Sequence, residues 1–221
     1  MTNDRFAVAR VDELDRIPVA ERGLEWRPVR RRFDLRAFGI NAYSSSNVGG
    51  EVVEEHHEEF LRHEEVYVVV RGRATFRLDG EDFDAPAGTI VAIKDPGVRR
   101  GATAVEADTF VLAVGGRPGE AFRPSGWESG LAAGQLAGEG KVDEALALVQ
   151  RDIAEYGRTP EFLYQLASFE ALAGRRDDAA AHLVQALDGA PRLARSAKIS
   201  SNLASVREDP RVSEALARHP A

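Results

Sequence analysis

The sequence predicts a multidomain chain of mixed class, an antiparallel β-barrel over residues 1–122 followed by a short all-α helical-repeat domain over residues 126–221. Three observations carry this. The first half consists of short β-rich runs separated by turn residues. The second consists of apolar stripes at helical spacing, and a six-residue pattern within it returns after 34 positions.

In chain order, strands are predicted at Phe6–Val11, Glu65–Arg71, Ala74–Leu78, Thr89–Ile93 and Thr109–Val114. The later runs are separated by Gly72, Asp79-Gly80, Pro86-Ala87-Gly88 and Asp95-Pro96-Gly97. Asp-Gly between alternating apolar runs is a strong hairpin signal, and several short strands at even spacing suit a sandwich or barrel. Helical periodicity is nearly absent before residue 117. Arg117–Trp127, with two prolines and two internal glycines, reads as a linker or a packed surface strap.

Helices follow. Val142, Ala145, Val149, Ile153 and Tyr156 form one stripe; Phe162, Leu166, Phe169 and Ala173 a second; Ala179, Leu183, Ala186 and Leu187 a third. Gly140, Gly157, Gly174 and Gly189 stand where these helices should stop, which implies short antiparallel helices. Gly140-Lys-Val-Asp-Glu-Ala145 recurs as Gly174-Arg-Arg-Asp-Asp-Ala179. With Leu166, Ala167, Gly174, Ala179, Leu183, Ala186 and Pro191, the segment from Pro160 to Leu193 resembles a tetratricopeptide repeat. Residues 126–159 match less fully, a unit from Ala194 is truncated or degenerate, and Glu170 stands where that family places an aromatic. So few units cannot bury their own faces, so the expectation is packing that supports a homodimer, with a groove for another protein as the alternative.

Composition narrows the function classes. Of 221 residues, 43% are hydrophobic and 29% charged, as in a globular protein. There is no cysteine, which excludes disulfides, thiolate metal sites and a catalytic thiol, and fits a cytoplasmic location. The N-terminus lacks the apolar core of a signal peptide, and no run approaches the roughly 18 apolar residues of a membrane helix. The net charge is −7, and neither half is basic, so neither a nucleic-acid partner nor a membrane is expected. Arg27, Arg30, Arg31, Arg32 and Arg36, crowded around Pro28, Val29 and Phe33, read as a solvated strand face, with an anion- or partner-binding patch as the alternative.

The chemistry concentrates between Gly50 and Gly72, where His56, His57 and His63 lie among several carboxylates directly before a strand-forming run. Gly50 precedes His56, and Glu65 precedes Gly72, at the intervals of the first motif of the cupin superfamily, and Pro86 to Arg100 has the setting of the second. Residues 45–115 therefore resemble a cupin, which implies a jelly-roll barrel with a divalent metal (Fe, Mn, Ni or Zn) on its inner wall. Two of the four ligands implied by that resemblance are altered: Glu58 takes the place of the second histidine, and the last histidine falls at Arg99 or Arg100. Arginine has no lone pair for a cation.

His56, Glu58 and Glu65 still supply one nitrogen and two oxygens, a set suited to a metal with open positions. Strand alternation turns His63, Glu65 and Tyr67 the same way, which makes His63 a further candidate ligand and Tyr67 a ligand-binding candidate. The bland alternative is a solvated acidic loop with incidental histidines. Arg99 or Arg100, if inside the barrel, would either replace the metal by pairing with Glu65 or clamp an anionic ligand; both could equally lie at the mouth in water. The expected function is a non-catalytic cupin that binds a small molecule. The alternatives are a metal-dependent dioxygenase or isomerase, in which Glu65 or Tyr67 would assist proton transfer, and a scaffold with no ligand.

Overall fold

The computed structural model describes residues 2, 3, 6–19 and 23–219. The chain divides into two compact units, Met1–Arg123 and Pro124–Ala221.

The first unit is built of antiparallel strands. They are β1 (Thr2–Asn3), β2 (Phe6–Ala7), β3 (Ile17–Val19), β4 (Leu24–Arg27), β5 (Gly39–Ser45), β6 (Glu51–His56), β7 (Glu64–Arg71), β8 (Arg73–Leu78), β9 (Glu81–Pro86), β10 (Ile90–Ile93), β11 (Arg100–Ala104) and β12 (Thr109–Gly116). Six form a sheet in the order β10-β7-β12-β5-β4-β3, and four form a second in the order β6-β11-β8-β9. The β8–β9 hairpin turns on Asp79 and Gly80, both at positive φ (49° and 90°), as the Asp-Gly pair predicts for a two-residue turn whose twist matches its strands. Between the sheets lies one apolar core, formed by Val52, Val53, Tyr67, Val69, Phe76, Ile93, Ala102 and Val111 with several alanines.

The strand expected at Phe6–Val11 stops at Ala7. Val11–Glu13 is instead a 3-10 turn, because the Glu13 carboxylate accepts the Arg10 N–H at 3.1 Å and closes the chain on itself. The arginine-rich segment is not a solvated strand face. Arg27 ends β4 and is 2% exposed, while Val29–Phe33 forms a one-turn helix, α1, in which Arg30 is buried. Up to Arg123 the Arg117–Trp127 segment behaves as a strap. Arg117 Nε donates to Leu61 O at 3.2 Å, and Phe122 packs against the His63 ring at 5.4 Å.

The second unit is helical: α2 (Gly126–Gly138), α3 (Val142–Tyr156), α4 (Pro160–Leu172), α5 (Arg176–Gly189), α6 (Leu193–Ile199) and α7 (Pro210–Arg218). Gly126 and Trp127, expected in the linker or strap, are the first two residues of α2. The helix starts repeat with the sequence: Gly126 to Pro160 and Val142 to Arg176 are each 34 positions apart. Gly140, Gly157 and Gly174 stand at helix ends with positive φ, as expected of stop signals. Gly189 also stands at a helix end, as the last residue of α5, but without positive φ, and a side chain there would run within 2.7 Å of Pro160 Cγ. Its role is close packing of α5 on α4. Glu170, where an aromatic was expected, is buried at 4% exposure and takes a 2.7 Å hydrogen bond with His182 Nδ1 of α5.

Candidate binding site in the barrel

Three strands and one loop assemble the site. β7 carries Glu65 and Tyr67 on its inner face by strand alternation. Glu65 has room because its register partner on β12 is Gly115: a Cβ there would approach Glu65 Cγ to 2.8 Å. On β11, Arg100 pairs in register with His56 of β6. A bulge sets that pairing, since Glu54 and Glu55 together oppose Gly101, and the extra residue brings His56 opposite Arg100. Glu58 lies in the loop beyond, tied by its backbone N–H to Pro96 O at 2.9 Å.

Arg100 is fully buried, and its guanidinium spans from one sheet to the other. Nη2 and Nε donate to Glu65 Oε2 at 2.6 and 3.1 Å, and Nη1 donates to Val98 O and Pro96 O at 2.9 and 3.2 Å. The Tyr67 hydroxyl donates to the same Glu65 oxygen at 2.6 Å. Of the two arginines the sequence left open, Arg100 is therefore the one inside. Arg99 lies outside in water and pairs with Glu55 at 2.7 Å.

The remaining candidates surround this pair. His56 Nε2 is 3.7 Å from both Glu58 Oε1 and Glu65 Oε2, and its Nδ1 meets Glu54 O at 2.6 Å. His63 Nδ1 lies 3.4 Å from Glu58 Oε2. His57 turns away and stands 3.9 Å from the exposed Glu59.

The two carboxyls are driven apart. Burial raises Glu58 to about 7, helped by the negative charge of Glu65 and opposed by His56 and Arg100. Burial would raise Glu65 as well, but His56, Tyr67 and Arg100 outweigh it and hold that carboxylate at about 2. Burial lowers His63, whereas His56 is raised because its contacts with Glu65 and Glu54 O exceed its burial penalty. Tyr67 is pushed well above its ordinary range by burial and by Glu65. At neutral pH the barrel thus holds an ionised Glu65 locked to Arg100 and a Glu58 close to half protonated.

His56, Glu58 and Glu65 present ligand atoms all within 4.8 Å of one another, a group of metal-binding type; His63 does not join it. Whether a divalent cation fits turns on Glu65. Its Oε2, the oxygen facing His56, already accepts three donor contacts, and a guanidinium charge stands 2.6 Å away. A cation there would compete for filled lone pairs and meet a like charge at close range. In this arrangement the residues do not fit a resident metal.

The sequence reading missed Asn41. Register aligns it with Ala113 of β12 and, through Ala113, with Tyr67, on the inner face. Its Oδ1 is buried without a hydrogen-bond partner, as is Glu58 Oε2, beside which His63 Nδ1 lies at 3.4 Å. Gly39–Ser45 is followed by the turn residues Ser46, Asn47, Gly49 and Gly50, but which of its faces is inner emerges only from its pairing with β12.

Residues 50–173 match the AraC-like ligand binding domain family, more than half of the chain. The chain belongs to that family. The AraC-like match begins at Gly50, covers His56 to Arg100, and continues past Arg123 into the helical unit. No curated protein matches. Solved structures similar to the AraC-like chain include a sugar phosphate isomerase of the cupin superfamily from Silicibacter pomeroyi. That structure is 19% identical, with 50% of this chain and 76% of that one covered and a TM-score of 0.43. Another is a predicted oxalate decarboxylase from Thermotoga maritima, with 21% identity, 49% and 97% coverage and a TM-score of 0.41. A third is an RmlC-like cupin from Shewanella frigidimarina, with 16% identity, 53% and 95% coverage and a TM-score of 0.39. The match assigns the chain to a family of ligand-binding domains, and its antiparallel sheets carry a His/Glu/Glu group. Among the described residues, no helix is long and apolar enough to cross a membrane.

Proposed function

We propose that this barrel is a metal-independent, non-catalytic module that binds a small molecule beside His56, Glu58, Tyr67 and Asn41. The observation that carries this reading is the buried Arg100–Glu65 pair, because a positive charge built into the wall does internally what a metal would otherwise do for Glu65. Two buried acceptors, Glu58 Oε2 and Asn41 Oδ1, support the binding role: buried polar atoms are nearly always satisfied, and a molecule bearing N–H or O–H groups would satisfy both. The second reading, a metal-dependent dioxygenase or isomerase, draws on the proximity of His56, Glu58 and Glu65.

Elemental analysis of the protein after exposure to Fe(II), Mn(II), Ni(II) and Zn(II) separates the two. A metal-free wild type is the expected result. A stoichiometric ion that disappears in both His56→Ala and Glu65→Ala would overturn the proposal. For the helical unit, the 34-residue spacing of helix starts supports a tetratricopeptide-like stack that mediates dimerisation or contact with another protein. Sedimentation at micromolar concentration tests the dimer, and a monomer would rule it out. The reading places the protein in the cytoplasm, in keeping with its lack of cysteine.

A further inference from the structure

We infer that a tetrahedral oxyanion of the phosphate type binds on the outer face of the six-stranded sheet, between the guanidinium groups of Arg27 and Arg71. This site lies on the opposite side of the sheet from the barrel interior and does not depend on what the barrel binds. Arg27 carries the first observation. It is 2% exposed, yet no carboxylate lies within ion-pair distance of it among the described residues. Among the described residues its hydrogen bonds both leave from Nη1, to Val11 O and Leu14 O at 3.3 Å each, and its Nε is buried without a hydrogen-bond partner. The unused edge, Nε with Nη2, is the fork that takes two oxygens of a carboxylate or phosphate side by side. A buried cation without a counter-ion is costly, and an incoming anion would remove that cost.

The second observation is independent. At the end of β7 the register with β12 slips between Val111↔Val69 and Phe110↔Arg71, so Val70 is an extra residue and Arg71 is turned onto the outer face beside Phe110. Both guanidinium carbons then lie against the same Phe110 ring, Arg27 at 5.7 Å and Arg71 at 6.0 Å from its centroid. The Arg71 side chain is half exposed. Its Nε is held by Asp108 O at 3.1 Å, and its Nη1 is 3.9 Å from Asp12 Oδ1, a loose contact. The other charges facing Arg27 are Arg16 and Glu25, themselves 4.0 Å apart. Arg27 thus supplies a buried fork and Arg71 a solvent-side cap. Two guanidiniums on one ring call for more than two acceptor oxygens, which favours a tetrahedral anion over a carboxylate, and Asp12 is the internal group it would displace from Arg71.

The test is a calorimetric titration of the full chain at low ionic strength with inorganic phosphate and, separately, with glycerol phosphate. Saturable binding is expected in the wild type. Arg71→Gln should weaken it roughly tenfold, the loss of one charge-assisted contact, and Asp12→Asn should tighten it. Arg77→Gln removes the same charge from an exposed pair elsewhere and should leave the affinity unchanged. These variants are exposed or half exposed, so folding is preserved where Arg27→Gln would disturb the 3-10 turn. Preference for glycerol phosphate would identify the phosphoryl group of a small metabolite as the ligand, and preference for inorganic phosphate the free ion. No saturable binding of either, or equal weakening by Arg77→Gln and Arg71→Gln, would overturn the site.

Discussion

Arg100 Nη2 lies 2.6 Å from Glu65 Oε2, and this bond joins β11 in one sheet to β7 in the other. Both groups are withdrawn from water, so each is tolerable only while the other is present.

Removing one partner should therefore cost more than removing both. Arg100→Met is expected to destabilise the first unit by roughly 3–5 kcal/mol, as for other broken buried pairs, with Glu65→Gln milder because its amide still accepts from Tyr67. The double variant Arg100→Met with Glu65→Gln should recover part of the loss, which urea denaturation of the four proteins measures directly. Strict additivity would show that the pair is energetically idle.

Stability should depend on pH in two windows of opposite sign. Glu65, ordinarily near 4.5, sits at about 2 in the fold, so its contribution is complete above about 4.5 and is lost as pH falls through 2; the size is about 3 kcal/mol. Glu58 is raised from 4.5 to about 7, so its protonated form contributes fully below about 4.5 and that contribution is lost as pH rises through 7. Chemical denaturation should show Glu58→Gln holding its stability between about pH 4.5 and 7 while the wild type declines there, with the gap constant above neutrality. A parallel decline in both proteins would reject the assignment.

Gly115→Ala offers a test by shape alone. The added methyl would meet Glu65 Cγ at 2.8 Å and Glu64 O at 2.9 Å, and at least the second of these is backbone. The expected cost is roughly 1–3 kcal/mol, with a shift of the Tyr67 ring resonances in NMR as Glu65 is pushed aside. Gly134, with nothing within 4 Å of an added Cβ and no positive φ, supplies the contrast. Gly134→Ala should be neutral or stabilising.

How much of this was legible depends on the range of the forces involved. The β8–β9 hairpin and β7 could be read because Asp79-Gly80 and the run after Glu64 are local signals. Arg100 rather than Arg99 as the inner residue could not, because the choice rests on how β11 pairs with two neighbouring strands. The same holds for His56, whose place depends on a bulge that two adjacent glutamates conceal. Arg27 and Arg30 looked solvated because a run of arginines carries no mark of burial; Arg27 is covered by the 3-10 turn at Val11–Glu13, and Arg30 packs over Phe122 at 5.6 Å. The apolar stripes of α3, α4 and α5 were readable, those of α2, α6 and α7 were not, and the Glu170–His182 pairing joins residues twelve positions apart on different helices.

Where an arginine grips main-chain oxygens, the bond itself does not depend on the side chains of the gripped residues. Arg100 holds Pro96 and Val98 through their carbonyls, and Arg27 holds Val11 and Leu14 in the same way. The grip itself survives any change of those side chains that keeps the backbone path, although Leu14 is buried and Val11 and Val98 pack on neighbouring apolar clusters, while the two arginines are not exchangeable even for lysine. The barrel mouth and the amino-terminal turn are thus fastened to the wall by main-chain bonds as well as by the apolar side chains they bury.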